Sequence, residues 1–179
     1  MLTDDPEVAR KVAEAVMSGA APIQDENKYA AMAVALGEIQ TYAPELARRT
    51  IANARALSVG LQAEGLEPVG VRRGHSQTHQ VFLRVAGDAE AVAARCDRAN
   101  LRIAACALPG DRPGVAKTGL RLGVHELTRR GMGEGEMRKV AQIVAAVVLD
   151  QVDADQQIPA VADLLAPFAG LPFSFDAAP

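Results

Sequence analysis

Thr118-Gly-Leu-Arg-Leu-Gly-Val-His-Glu-Leu-Thr-Arg-Arg-Gly131 reads as a short buried strand that stops at a glycine and turns into a helix. Arg121 lies between Leu120 and Leu122. Side chains alternate faces along a strand, so Arg121 points away from both leucines. If the leucines face the core, Arg121 faces a cleft or the other side of the sheet. A guanidinium in such a place needs an anion, and a carboxylate held by two parallel hydrogen bonds is its best planar partner. Two readings stay open. The arginine pairs with an Asp or Glu of its own chain for reasons of fold, or it serves a carboxylate brought from outside.

Downstream of this stretch, Gly133 to about Asp150 has the period of a helix, with Met137, Val140, Ala141, Val144 and Val148 on its inner face. A last helix is expected from Ala160 to Phe168. Upstream, Leu66–Arg72, Val81–Val85 and Leu101–Ala105 read as strands, and Asp88 caps a helix running through Asn100. Leu108 to Gly114 is a turn-rich loop. Before Gly65 the pattern is helical. Thr3 or Asp4 caps a helix with Pro6 in its first turn, striped by Val8, Val12, Ala15 and Val16. Residues 23–28 are polar and read as a loop. A second helix spans about Tyr29 to Thr41 and is apolar nearly all round, which predicts burial on most sides. Pro44 starts a third, ended by Gly65, with Leu46, Thr50, Ala54, Leu57 and Leu61 on its stripe. Helices followed by a small mixed unit make an α+β or α/β chain. The expected division is residues 1–64, linking helices, and residues 65–179, a small α/β domain.

Composition excludes several functions. The 179 residues carry a net charge of -3, 3% aromatics and no Trp. That is neither a nucleic-acid footprint nor a base-stacking surface. Cys96 and Cys106 are the only cysteines and form no CxxC pair, so a reduced, cytoplasmic setting is expected. No apolar run reaches membrane-spanning length; Val140 to Leu149 is too short and contains Gln142. The 19 basic residues divide into 15 arginines and four lysines. Lys11 and Lys139 fall on surface helices. Lys28 neighbours Asp25 and Glu26, which raise rather than lower its pKa. Lys117 adjoins the Arg121 strand. None sits where an activated amine would, so no nucleophile is expected in this chain. His75, His79 and His125 are candidate acid–base groups or satisfied structural residues. No ligand spacing for a metal is present.

These motifs resemble the C-terminal half of the serine hydroxymethyltransferase family, fold-type I pyridoxal-phosphate enzymes. Gly119-Leu-Arg-Leu-Gly123 with Leu127-Thr-Arg-Arg-Gly131 is similar to its strand-and-helix motif, and Gln77-Thr-His-Gln80 stands where the family has an Asn-His pair. Ala33-Val-Ala-Leu-Gly-Glu38 and Asn53-Ala-Arg-Ala-Leu57 resemble its long helices. Within the family, the short loop Leu108-Pro-Gly…Pro-Gly114, Thr128-Arg-Arg-Gly-Met132 and the tail Pro172-Phe-Ser-Phe-Asp176 resemble threonine transaldolases of natural-product pathways. The loop from Ala107 to Ala116 has no Asn, a departure that speaks against folate.

The resemblance implies a small domain with a βαββα-type sheet, preceded by long linking helices that complete a large domain and a subunit interface. It implies pyridoxal 5'-phosphate shared with a partner chain. The Schiff-base lysine, the ring-stacking His and the Asp on the pyridinium nitrogen belong to the N-terminal half, supplied by a second polypeptide of a split enzyme or by the rest of a longer one. A hetero-oligomer is then expected, inactive as this chain alone. By the same resemblance Arg121, His79 and Thr78 bind substrate. Gln24 touches the cofactor phosphate of a neighbouring subunit, whereas Asp25 and Glu26 would repel it. The implied chemistry is aldol or retro-aldol on a β-hydroxy amino acid with an aldehyde, the cofactor acting as electron sink. Hydroxymethyl transfer to an amino acid, or a catalytically silent half that stabilises an active partner, are the alternatives.

Overall fold

The computed structural model describes residues 3–17, 25–112 and 117–175. The chain divides into two compact units, Met1–Thr41 and Tyr42–Pro179. In the first, α1 covers Pro6–Ala15. Its cap is Asp5, one residue later than expected: the carboxylate accepts from Glu7 N–H and Val8 N–H, while the Thr3 hydroxyl accepts from Asp5 N–H. No residue of α1 is buried.

A single long helix, α2, covers Glu26–Ala63 and passes from the first unit into the second. Three expectations change here. Residues 26–28 are helical rather than loop, because the Asp25 carbonyl accepts from Lys28 N–H at 3.0 Å and starts the turn. Pro44 does not begin a new helix but lies inside this one. Proline removes one ladder bond, yet its fixed φ is compatible with helix, so strong helix formers on both sides can carry the chain through. Thirdly, the turns from Tyr29 to Thr41 are not buried within the chain: Tyr29, Met32, Val34, Leu36 and Ile39 are all more than half exposed.

The last turns of α2 behave differently. Thr50, Asn53, Ala54, Leu57, Ser58 and Leu61 recur at helical spacing and are buried. They join a core built on a four-stranded sheet of order β1-β2-β4-β3, where β1 is Glu67–Pro68, β2 Gln80–Arg84, β3 Ala104–Cys106 and β4 Gly119–Gly123. Every pairing is antiparallel, which makes the unit α+β. The first strand is much shorter than Leu66–Arg72. Gly70 takes a left-handed φ of 90° and the chain coils into a 3-10 turn at Val71–Arg73. β3 is likewise shorter and begins at Ala104.

Helix α3 (Ala89–Arg98) is capped by Asp88 as expected, the carboxylate accepting from Glu90 N–H at 2.9 Å. Helices α4 (His125–Arg129), α5 (Glu134–Val148) and α6 (Ile158–Leu165) follow the fourth strand. Val81, Leu83, Leu120 and Leu122 form the core face of the sheet, together with Val92 and Cys96 of α3 and Met137, Ala141 and Val144 of α5. Gly131 ends the α4 turn at φ 96°, a conformation that suits glycine, with the Pro172 ring beside it. From there the tail brings Phe173 against Tyr42, ring centroids 6.3 Å apart, and under the Arg49 guanidinium at 5.4 Å. Among the described residues no helix is long and apolar enough to cross a membrane.

Candidate functional site

The second unit has a cleft of about 580 Å³ at the end of the sheet. Arg121 lines it, between Gln80 and His79 on one side and Ala104 on the other, with His125 and Glu126 following the strand. Register explains the placement. Arg121 pairs across Phe82 and Ala104, while Leu120 and Leu122 pair across Leu83 and Val81. The leucines are thus drawn into the core and the arginine is turned to the open face, where it is exposed. Among the described residues no carboxylate forms an ion pair with it. The reading in which Arg121 is tied to an acid of its own chain therefore fails for these residues. Its charge still reaches its neighbours. Burial pushes the half-buried Cys106 thiol up, and the Arg121 guanidinium opposes that push.

His79 lies at the same mouth, its ring edge-on to His125 with centroids 5.3 Å apart. Thr78 does not line the cleft. Its hydroxyl accepts from Gln80 N–H at 3.2 Å and stays within the turn before β2. Gln24 lies outside the described residues. Asp25 precedes α2 and pairs with Lys28 at 3.3 Å. His75 is satisfied structurally, its Nδ1 2.9 Å from the Ser58 hydroxyl.

The lysines test whether this chain could hold an aldehyde cofactor covalently. Lys117 pairs with Glu90 at 2.8 Å, which holds its ammonium above the usual lysine range. That is the opposite of activation. Lys11 and Lys28 sit in exposed ion pairs, Lys139 is exposed on α5, and none of the four lines the cleft. The described residues do not form a covalent cofactor seat. They place the Arg121 guanidinium on the cleft wall, and no cluster of three metal-ligating side chains occurs among them.

Comparison with known proteins gives the family. The family model "Serine hydroxymethyltransferase" matches residues 4–144. The chain belongs to the serine hydroxymethyltransferase family. The serine hydroxymethyltransferase of Pyrobaculum islandicum is 43% identical over 124 residues, 68% of this chain and 29% of that protein. That of Korarchaeum cryptofilum is 34% identical over 187 residues, 100% of this chain and 43% of that protein. The chain thus spans less than half the length of these curated relatives. Among solved structures, L-threonine transaldolase from Pseudomonas fluorescens superposes with a TM-score of 0.72 at 31% identity, over 80% of this chain and 33% of that one. The likeness to the C-terminal part of this family, carried by the Arg121 motif, is confirmed. So is the fold class, the small domain of a fold-type I pyridoxal-phosphate enzyme.

Two residues of the cleft are not marked in the sequence as belonging to it. His125 was noted only as one of three scattered histidines. Gln80 was quoted only as the end of a motif. Asn53 does not line the cleft; it is buried and bonded to Thr128, and in the sequence it stands only inside a helical run. A signal for His125 existed, since it follows the Arg121 strand by two residues at the start of a helix.

Proposed function

We propose that this chain supplies the carboxylate-binding half of a serine hydroxymethyltransferase-like enzyme that performs aldol or retro-aldol chemistry on a β-hydroxy amino acid, in the manner of a threonine transaldolase. The observation that carries this reading is Arg121: an exposed guanidinium in the middle strand of a cleft, with no carboxylate of the described residues upon it. Its two-pronged donor geometry fits a substrate carboxylate. Fixing that group fixes the remaining substituents of the same carbon, which is the orientation such a bond cleavage needs. His79 borders the place where the substrate lies. Pyridoxal phosphate supplies the electron sink for such chemistry. Its lysine and its ring-binding residues are assigned to a large domain, as a partner chain or as the rest of a longer protein. Residues 1–64 complete that large domain and the subunit interface, the last turns of α2 also serving the core of the small domain formed by residues 65–179. The exposed Tyr29, Met32, Val34, Leu36 and Ile39 support an interface role.

The test is made on the chain assembled with its lysine-bearing large domain. Removing one partner of a desolvated charge-assisted pair costs roughly 2–5 kcal/mol. Arg121→Ala should therefore lower kcat/KM by about two to three orders of magnitude or more, while assembly and cofactor occupancy persist. Arg121→Lys keeps charge without the fork and should fall between. Full turnover in a stable Arg121→Ala complex would remove Arg121 from the site. Purified alone and mixed with pyridoxal phosphate, the chain should yield no stoichiometric adduct on borohydride reduction; a specific adduct at Lys117 would refute the assignment of the lysine elsewhere.

A further inference from the structure

The core of the second unit contains a polar network that packing alone does not require. Asn53 of α2 is 2% exposed and Thr128 of α4 is fully buried. The Asn53 side-chain amide donates to the Thr128 hydroxyl at 2.9 Å and to the Met132 carbonyl at 2.8 Å. The Thr128 hydroxyl in turn donates to the Val124 carbonyl at 2.8 Å. Val124 also donates its own N–H to the His79 carbonyl at 3.0 Å. One side chain on α2 therefore holds the Met132 end of the segment from Val124 to Met132 directly and the Val124 end through Thr128. That segment starts directly after the five-residue strand carrying Arg121.

Burying polar groups costs free energy unless each is paired, and apolar replacements of matching shape are often as stable or more so. A saturated network at this place is better suited to fixing a geometry than to adding stability. The strand ends at Gly123, which has no side chain to anchor it. The ladder holds Arg121 between Phe82 and Ala104, and where the chain leaves the strand its course depends on Val124. The Val124 N–H donates to the His79 carbonyl just before β2. The Val124 carbonyl, in the next peptide group, accepts from the Thr128 hydroxyl and, at 2.9 Å, from the Thr128 N–H, so that Thr128 joins it to α2. Displacing a substrate-holding group by about 1 Å can cost a hundredfold in rate.

We propose that Asn53 and Thr128 are positioning residues: they hold Val124 and the start of α4 so that His79 and the end of the Arg121 strand keep the spacing a substrate carboxylate requires. The inference rests on the carboxylate-binding reading of Arg121. Its test compares kcat/KM for the amino acid with kcat/KM for the corresponding amino-acid amide, in the assembled enzyme. This ratio reports how well the carboxylate is gripped, and loss of stability alone does not move it.

Thr128→Val, nearly isosteric, should cut the ratio by between about tenfold and a hundredfold, mainly through KM. Thr128→Ser keeps the hydroxyl and should restore the ratio to near the unaltered value. Thr128→Val leaves an Asn53 donor unpaired and could unfold the chain, so the double variant Asn53→Leu/Thr128→Val, apolar at both places, accompanies it. A folded double variant with a collapsed ratio supports the proposal. A folded double variant with an unchanged ratio overturns it, provided that Arg121→Ala collapses the ratio in the same assay. An unchanged ratio in Arg121→Ala overturns the carboxylate reading itself and this inference with it.

Discussion

The two faces of strand β4 meet opposite fates. On one, Leu120 and Leu122 are 0% and 4% exposed, pressed between their neighbours in β2 and the helices behind the sheet. On the other, Arg121 stands exposed at a cleft with no acidic partner among the described residues. Three consecutive residues thus divide stability from chemistry. The alternation of a strand makes this possible, since adjacent side chains share a backbone but not an environment. An arginine placed one position earlier or later would be a buried unpaired charge, which is strongly destabilising.

The sharpest way to break this comparison is by stability. Leu120→Ala removes a fully buried side chain next to Leu83 and should destabilise the chain by about 2–5 kcal/mol in denaturant unfolding; a loss below about 1 kcal/mol would mean that the core face is not packed as described. Gly119→Ala comes next. A Cβ there would meet the Leu108 side chain, with Cδ2 at 2.7 Å, and the Cys106 carbonyl at 3.0 Å. Accommodation means shifting the edge strand, at a cost of about 1–3 kcal/mol; an unfolding midpoint unaltered from that of the parent chain would contradict the geometry.

A smaller effect belongs to the loop that leads into the strand. The Asp111 carboxylate accepts from the Thr118 hydroxyl at 2.6 Å, from Leu108 N–H at 2.9 Å and from Thr118 N–H at 3.1 Å. The Thr118 hydroxyl bond is the main cause that holds this carboxyl below the usual aspartate value. A value depressed by folding adds stability that is fully present above the unfolded aspartate pKa of about 3.9 and is lost as pH falls through the folded one. Asp111→Asn should therefore flatten the fall of stability below about pH 4; an acid limb identical to the parent's would remove Asp111 from the account. Smallest of all should be the stability effect of Arg121→Ala, within about 0.5 kcal/mol, because the side chain is exposed and has no ion pair among the described residues. A large loss of melting temperature in that variant would return Arg121 to the role of a structural residue.

Much of this protein was legible from local pattern. Strand alternation around Arg121, the Asp88 cap and the apolar spacing of Met137, Ala141 and Val144 are determined within a few residues, and the folded chain keeps them all. The Arg121 motif also carried the resemblance to the family, since its residues stand together in one short stretch. Tertiary structure alone decided the rest. Ala30 to Leu36 and Ala54 to Leu61 both carry apolar residues at helical spacing, yet only the second has a buried stripe, Ala54, Leu57 and Leu61, since burial depends on whether a partner surface exists in the same chain. Pro44 inside α2, the shortened first strand and the retention of Thr78 in its turn each reflect a competition between neighbours that no single residue reports. The meeting of Asn53 with Thr128, 75 residues away in sequence, is of the same kind: a hydrogen bond across the core has no local signature, because its geometry exists only once the helices have packed.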